Sequence, residues 1–261
     1  MSDFSEYHAG DIDALEYQAK VILFTLGVFV CFGAYAAGVM NMVWMTLLTS
    51  VMVTRWMISF HELMHLKKPE ELDFFTRVLP IPFSPLNLGY REYQNIHMGH
   101  HQYTATADDP DAFHILGGIL RAFVGALTQH EQACYRYIRT NGLSRELAVM
   151  MLIRLCLFIV LLVAAPQAFL IWWFVLRVTY IINDFVFFHL VHYRSGLPGT
   201  YAITLPAFIV YPSLLIYGVD VVYGTMHHNI HHKYTRIAPK FLPLVARKLD
   251  SLSSTVSVIT H

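Results

Sequence analysis

Residues 21–65 read VILFTLGVFVCFGAYAAGVMNMVWMTLLTSVMVTRWMISFHELMH, two long apolar stretches that end in a histidine motif. The stretches 21–40 and 42–60 each approach the roughly 20 residues that a helix needs to cross a bilayer. The short segment from Gly38 to Asn41 separates them and favours a tight helical hairpin. The pattern predicts a membrane protein with a metal-binding motif where a helix leaves the bilayer.

A second pair of apolar stretches, 148–165 and 168–190, repeats this arrangement around Pro166. Hydrophobic residues make up 56% of the chain and charged residues 14%, with a mean hydropathy of +0.46. The formal net charge is zero, so no nucleic-acid partner is indicated. The three cysteines lack C-x-x-C spacing and indicate neither a disulfide framework nor a thiolate metal site.

Positive charge is distributed unevenly along the chain. Residues 61–147 carry eight Lys or Arg and residues 193–261 carry six, whereas both hairpin turns carry none. The positive-inside rule therefore predicts that both basic regions, both termini and every histidine cluster lie on the cytoplasmic side. We expect a single membrane domain over residues 1–261, divided into a hairpin (21–60), a cytosolic region (61–147), a second hairpin (148–192) and an interfacial segment with a cytosolic tail (193–261).

A fifth apolar run covers residues 201–219 and contains Pro206 and Pro212. An interior proline costs a helix about 3 kcal/mol. A spanning helix here would also carry the histidines that follow to the opposite face of the membrane. We therefore predict an interfacial or re-entrant segment, and a second peripheral helix within 112–140, where apolar and polar residues alternate.

Four charged residues lie in or near the apolar helices. Arg55 is close enough to its helix end to extend its charge to the membrane surface. Arg154 is expected to face a protein interior, a polar cavity or the membrane interface. Arg177 and Asp184, two helical turns apart, are expected to pair.

Histidines cluster three times, as HELMH at 61–65, HMGHH at 97–101 and HNIHH at 228–232. With 15 histidines in the chain, chance would produce roughly 0.05 H-x-x-H-H triples, and two occur. Positions i, i+3 and i+4 share a helix face, so each triple can direct its rings at a common point. Neutral imidazole is a common ligand of transition metals. Eight convergent histidines are more ligands than one tetrahedral ion can bind, so they imply two metal ions.

Other interpretations of these histidines were weighed. H-E-x-x-H, with Glu62 as general base, is also typical of zinc metalloproteases, but that reading leaves two clusters unexplained. Carboxylate-bridged di-iron bundles need two Glu-x-x-His motifs, and only Glu62–His65 is present. A non-enzymatic iron store or sensor is a further alternative. The scattered histidines are expected to be surface residues without function: His8, His114, His130 and His261.

The three clusters in this order, with Asp108-Asp109-Pro110-Asp111 after the second and Pro239 and Leu242-Pro243 after the third, resemble the integral-membrane fatty-acid desaturase/hydroxylase superfamily. The resemblance covers residues 20 to 250 approximately. It implies an all-α membrane protein with four transmembrane helices in two hairpins and a cytosolic helical cap that carries the histidine boxes.

The resemblance also implies an enzyme with two iron ions that uses O₂ and two electrons to oxidise an unactivated C–H bond of a lipid. Fatty-acyl desaturation is the favoured reaction, and lipid or carotenoid hydroxylation or ketolation at the same site is the alternative. The implied ligands are the box histidines: His61, His65, His97, His100, His101, His228, His231 and His232.

Members of this superfamily recruit a further ligand near the end of the fourth helix. Here that region reads NDFVFFHLVHYR, residues 183–194. His189 and His192 lie three residues apart on similar helix faces, so helix geometry excludes neither. His192 is the preferred ninth ligand, because it is nearer the cytosolic end and level with the boxes, and His189 is the alternative. Asp184 or Asn183 is expected to orient a ligand through its second ring nitrogen.

The expected partners follow from the same resemblance. The substrate is a lipid or fatty-acyl chain, and the membrane is its reservoir. No haem-binding segment, Cys₄ iron–sulfur pattern or G-x-G-x-x-G motif accompanies the boxes. We therefore expect electrons from a separate ferredoxin- or cytochrome-type protein that docks on the basic cytosolic face.

Overall fold

The computed structural model describes residues 4–78, 81–104, 106–111 and 118–259, and these residues are mainly helical. The helices are α1 (Asp11–Ala36), α2 (Met42–Leu66), α3 (Phe74–Val78), α4 (Tyr90–Tyr103), α5 (Ile119–Leu127), α6 (Gln129–Asn141), α7 (Arg145–Ala164), α8 (Pro166–Asp184), α9 (Ala207–Tyr217), α10 (Val219–Met226), α11 (His228–Lys233) and α12 (Leu242–Ile259). A π-helix at Phe185–Leu190 continues α8, and a ribbon of β1 (Tyr193–Arg194) and β2 (Leu197–Pro198) follows it.

The first hairpin consists of α1 and α2. Helix α1 begins ten residues before the predicted apolar stretch, because Gly10 forms its N-cap and donates its N–H to the Asp13 carboxylate at 2.9 Å. Gly38 takes a positive φ of 73° in the turn, a conformation that glycine adopts without strain. Asn41 then caps α2 by accepting the Trp44 N–H at 3.0 Å. Helix α2 runs on through HELMH, so the first histidine box lies on its last turn.

The second hairpin joins α7 to α8 through Ala165 alone, with Pro166 at the first position of α8. Among all the described residues, four helices are long and apolar enough to cross a membrane: Asp11–Ala36, Met42–Leu66, Arg145–Ala164 and Pro166–Leu190. The predicted all-α membrane fold with four spanning helices in two hairpins is therefore confirmed.

The core lies where α1, α2 and α8 pack against one another. Val28, Met45 and Trp172 are fully buried there, and the Phe32 and Trp172 rings lie 4.9 Å apart. Helix α7 packs on the outside and leaves apolar side chains such as Val163 exposed, as expected of a surface solvated by lipid.

Two predicted buried charges have specific partners. Arg154 is buried on α7, and its Nε donates to the Val78 carbonyl at 3.1 Å, which holds the segment before α4 against the bundle. Arg177 pairs with Glu131, with nitrogen–oxygen distances of 3.2 and 3.3 Å. The predicted Arg177–Asp184 pair was wrong, because the guanidinium reaches across to α6 instead of along its own helix.

The run 201–219 forms a short apolar helix, α9, with Pro212 inside it and Pro206 at its N-cap. Its 11 residues reach about 16 Å, half of a bilayer core. Residues 119–141 form α5 and α6, and α5 exposes apolar residues such as Leu120. The interfacial placement of both regions stays a prediction.

Candidate metal centre

Nine histidines meet at one end of the bundle, on the last turn of α2, on α4, directly after the π-helix and on α11. They form two adjoining groups. The His65 group contains His61, His65, His97, His101 and His231. The His192 group contains His100, His192 and His232, together with His228, whose Nε2 lies 3.0 Å from Nε2 of both His192 and His232.

His65 lies at the centre of the first group. Its Nε2 is 2.9 Å from Nε2 of His97 and 3.1 Å from Nε2 of His231. His61 lies beside them, with its ring centroid 4.5 Å from that of His97. The five possible ligand atoms of this group all lie within 4.8 Å of one another.

His192 lies at the centre of the second group. Its Nε2 is 3.2 Å from Nε2 of His100 and 3.0 Å from Nε2 of His228. The rings of His101 and His232 stack at a centroid distance of 4.1 Å and so bring the two groups into contact. The arrangement provides two neighbouring binding places instead of one.

Each H-x-x-H-H triple is divided between the two groups. His97 and His101, four residues apart, join the His65 group, whereas His100 joins the His192 group. On α11, His228 and His232 join the His192 group, whereas His231 joins the His65 group. The expectation that each triple meets at a common point was wrong. Positions i and i+4 differ by about 40° around a helix, whereas i+3 lies about 100° from i+4.

Hydrogen bonds fix the tautomers of three rings in the His192 group. Nδ1–H of His192 donates to the Gly199 carbonyl at 3.1 Å, and Nδ1 of His100 lies 2.9 Å from the Asp109 carboxylate. Thr104 donates its only hydroxyl proton to the backbone, so its oxygen accepts from Nδ1–H of His232 at 3.1 Å. In neutral rings, each Nε2 then carries a lone pair instead of a proton.

The lone pairs on Nε2 of His100 and His192 face each other across 3.2 Å, an arrangement that repels unless a cation lies between them. Nitrogen ligands at about 2.1 Å from an ion and at right angles are about 3.0 Å apart. The observed Nε2–Nε2 distances of 2.9 to 3.2 Å match this spacing. The residues present therefore fit a pair of imidazole-bound transition-metal ions.

Burial keeps these rings in the form that binds metal. It lowers the pKa of His192 to about 3 and lowers the pKa of His97, His228 and His231 well below the ordinary value. Neighbouring histidines lower the pKa further in each case, because a second positive charge nearby is unfavourable. Neutral imidazole is the ligand that a transition metal requires.

The structure separates the two proposed ninth ligands. His192 lies within the centre, whereas the His189 ring stacks against Phe185 at 5.0 Å and Tyr193 at 5.3 Å, outside both groups. Asn183 exchanges hydrogen bonds with Thr54 at 2.9 and 3.2 Å, away from the histidines. Asp184 is fully buried directly before the π-helix.

The residues that do orient the rings were largely missed by the sequence analysis. They are Asp109, Thr104 and the Gly199 carbonyl, along with Glu62, whose Oε1 lies 2.9 Å from Nδ1 of His61. The acidic run after the second box was a usable signal for Asp109, because a carboxylate commonly accepts from a ligating imidazole. Gly199 had no such signal, since it acts through its backbone.

The scattered histidines behave differently from one another. His8 is exposed, as predicted, whereas His130 is only 3% exposed, so its assignment to the surface was wrong. It packs between Phe83 and Tyr180 at the start of α6. His114 and His261 lie outside the described residues.

A cavity of about 110 Å³ opens from the histidines into the bundle. Its lining is mainly aromatic and aliphatic: Trp56, Met57, Ile58, Phe60, Met64, Phe83, Ile96, Phe187 and Phe188. His61, His97, His100, His228 and His231 line the end of the cavity at the metal centre.

A bundle of four spanning-length helices with two histidine groups at one end defines a membrane-type protein whose histidines could hold metal ions. The family model for fatty acid desaturase matches residues 37–256, so the chain belongs to the fatty acid desaturase family. Membership makes it an oxidoreductase of lipid metabolism, in a family known for two-iron centres. No curated protein and no solved structure matches the chain.

Proposed function

We propose that this protein binds one iron ion in the His65 group and a second in the His192 group, and uses them with O₂ to oxidise an unactivated C–H bond of a lipid. The observation that carries the proposal is the convergence of both groups on one apolar cavity. Family membership supports iron, and imidazole favours iron over magnesium or calcium. The nine ligands are His61, His65, His97, His100, His101, His192, His228, His231 and His232.

The chain's own residues bind and orient the substrate in this proposal. The aromatic wall formed by Trp56, Phe60 and Phe188 buries an acyl chain, and each buried methylene contributes about 0.8 kcal/mol. The same wall excludes water from the reacting carbon and limits the positions that a C–H bond can take. Iron, when bound, supplies the oxidising power that breaks that bond.

The favoured reaction is fatty-acyl desaturation. It consumes one O₂, two electrons and two protons, removes two hydrogens from adjacent carbons and releases two waters. Hydroxylation removes one hydrogen, inserts one oxygen atom and releases one water from the same inputs. Carotenoid or lipid ketolation is a further oxidation of this second kind. The apolar lining of the cavity favours an acyl chain as the substrate.

Lipid analysis of a host that expresses the chain tests this proposal. We expect new double bonds in the acyl chains with the native protein and none with His65→Ala, which removes the central ligand of one group. Hydroxylated or keto lipids in place of alkenes would overturn desaturation but keep the two-iron oxidation. Purified protein from an iron-supplemented culture should contain two irons per chain. A single zinc per chain with peptidase activity would instead support the protease reading.

We further propose that the electron donor docks next to the third histidine box, on the cytoplasmic side of a single membrane domain. Lys233 directly follows His232 on α11, and Arg236 lies three residues further on. Both side chains are exposed, and neither forms an ion pair with another described residue. An acidic ferredoxin or cytochrome is complementary to this surface.

Charge reversal at this surface tests the docking proposal. We expect Lys233→Glu to raise the concentration of reduced ferredoxin or cytochrome needed for half-maximal rate roughly tenfold, with iron content unchanged. Arg139→Glu is the matched control, because Arg139 is also exposed but lies on α6. Equal effects of the two variants would show that donor docking does not use the α11 surface.

A further inference from the structure

The wall of the cavity beyond the metal centre carries a small polar cluster within its apolar lining. Tyr93, His130 and Tyr180 form it together with Asn87 and Gln129, and all five line the cavity. His130 is 3% exposed, and the described residues offer its Nε2 no hydrogen-bond partner. A buried polar atom in this state requires an explanation, because burial has removed its water without providing a substitute.

The hydrogen bonds around His130 determine its tautomer. Asn87 Oδ1 accepts from the Leu88 N–H at 3.0 Å, which identifies the facing amide atom as the oxygen. Tyr93 therefore donates its hydroxyl proton to Asn87 Oδ1, at 2.5 Å. Because that proton is used, the Tyr93 oxygen accepts from Nδ1–H of His130 at 2.8 Å. Nε2 of His130 is then an unprotonated acceptor.

The ring is held firmly and stays neutral. Phe83 stacks on it with a centroid distance of 5.1 Å and an interplanar angle of 11°, and the Tyr180 ring lies 4.0 Å away. Burial lowers the pKa of His130 well below its ordinary value, and the nearby guanidinium groups of Arg177 and Arg154 lower it further. The Tyr180 hydroxyl donates to Gln129 at 2.7 Å, so its oxygen also presents a lone pair.

We propose that this cluster is a substrate subsite that accepts a hydrogen bond from an O–H or N–H group on an otherwise apolar lipid. The inference rests on the proposed function and narrows its substrate class to lipids that carry such a donor. A plain hydrocarbon chain would bury Nε2 of His130 without giving it a hydrogen-bond donor. A hydroxyl group of the substrate would donate a hydrogen bond to this nitrogen.

The subsite has a defined relation to the metal centre. Tyr93, which holds His130, precedes His97 by four residues on α4, about 6 Å of helical rise. Residues of both regions line the same cavity. The hydrogen-bonded group of the substrate therefore lies a short length of lipid away from the carbon that is oxidised. Its position determines which carbon reaches the metal centre.

Equilibrium binding to the purified iron-loaded protein in lipid nanodiscs, without reductant, tests the subsite. The probes are a long-chain alkane and alcohols of the same length with the hydroxyl group at successive positions. We expect the best alcohol to bind native protein about tenfold more tightly than the alkane. In His130→Phe, which keeps the aromatic packing, this preference should vanish while the alkane affinity is retained. His8→Phe, at an exposed histidine, should behave as the native protein does.

A second variant tests the tautomer itself. Tyr93→Phe removes the group that holds the proton on Nδ1, so Nε2 of His130 can carry it instead. We expect this variant to keep a preference for alcohols, whose oxygen can accept from Nε2–H, and to gain one for the matching ketones, which only accept. Equal binding of alkane and alcohols by native protein, or a preference that survives in His130→Phe, would overturn the subsite. Because binding is measured without turnover, absence of any oxidised lipid in the host would count against the proposed function alone.

Discussion

The His65 group and the His192 group differ in what fixes their imidazole rings. In the His192 group, Nδ1 of three rings has a partner: Asp109, Thr104 or the Gly199 carbonyl. In the His65 group, His61 has such a partner, Glu62, whose Oε1 lies 2.9 Å from its Nδ1. Nδ1 of His65, His101 and His231 has none among the described residues.

This difference indicates two ways of building a metal site. Protein contacts orient the rings of the His192 group before an ion arrives, so these side chains lose little conformational freedom when the ion binds. The rings of the His65 group are positioned by packing and gain their final order from the ion. We therefore expect the His192 group to bind its iron more tightly, although it offers four ligands and the other group five.

The largest expected effect comes from removing the centre of the better-organised group. His192→Ala should reduce iron from two ions per chain to one and abolish product, because His192 contacts both His100 and His228. His189→Ala is the control and should keep both ions, since its ring stacks against Phe185 and Tyr193. Iron analysis of the two purified variants decides between them, and the reverse pattern would make His189 the ninth ligand.

A smaller effect should follow when the ring-orienting carboxylates lose their charge. Asp109→Asn should weaken iron binding at the His192 group by roughly 10–100-fold, the usual cost of removing such a partner. Glu62→Gln should weaken the His65 group less, because four other histidines share that ion. Competition with a chelator measures both affinities, and Asp108→Asn, at an exposed neighbour, is the control. If Glu62→Gln has the larger effect, the ranking of the two groups is incorrect.

The smallest effect is expected at the hydroxyl beside His232. Thr104→Val removes one neutral hydrogen bond and should weaken iron binding about threefold, in line with a net contribution of roughly 0.5–1.5 kcal/mol. Thr106→Val alters a neighbouring exposed threonine whose hydroxyl donates to the Tyr103 carbonyl, and should leave the affinity unchanged. No difference between the two variants in chelator competition would show that packing alone orients His232.

Sequence reasoning found the histidines that form the two groups because their spacing is encoded locally. Runs of apolar residues gave the four long helices, and the two H-x-x-H-H triples together with H-E-x-x-H gave eight of the nine histidines. The division of each triple between two groups was not predictable, because it depends on how α4 and α11 face each other. His130 was missed for a similar reason: its burial depends on Phe83 and Tyr180, which are distant in sequence.

The π-helix at Phe185–Leu190 lets the fold hold one residue more than a regular helix needs at this place. A π-turn contains one residue more than an α-turn, so six π-helical residues turn through about the same angle as five α-helical residues, roughly 500°. His192 and the β1–β2 ribbon therefore keep the phase that a regular helix one residue shorter would give them. A single-codon deletion in this segment would restore a regular helix and leave the ninth histidine facing its eight partners, whereas an insertion of one further residue would rotate it by about 100°.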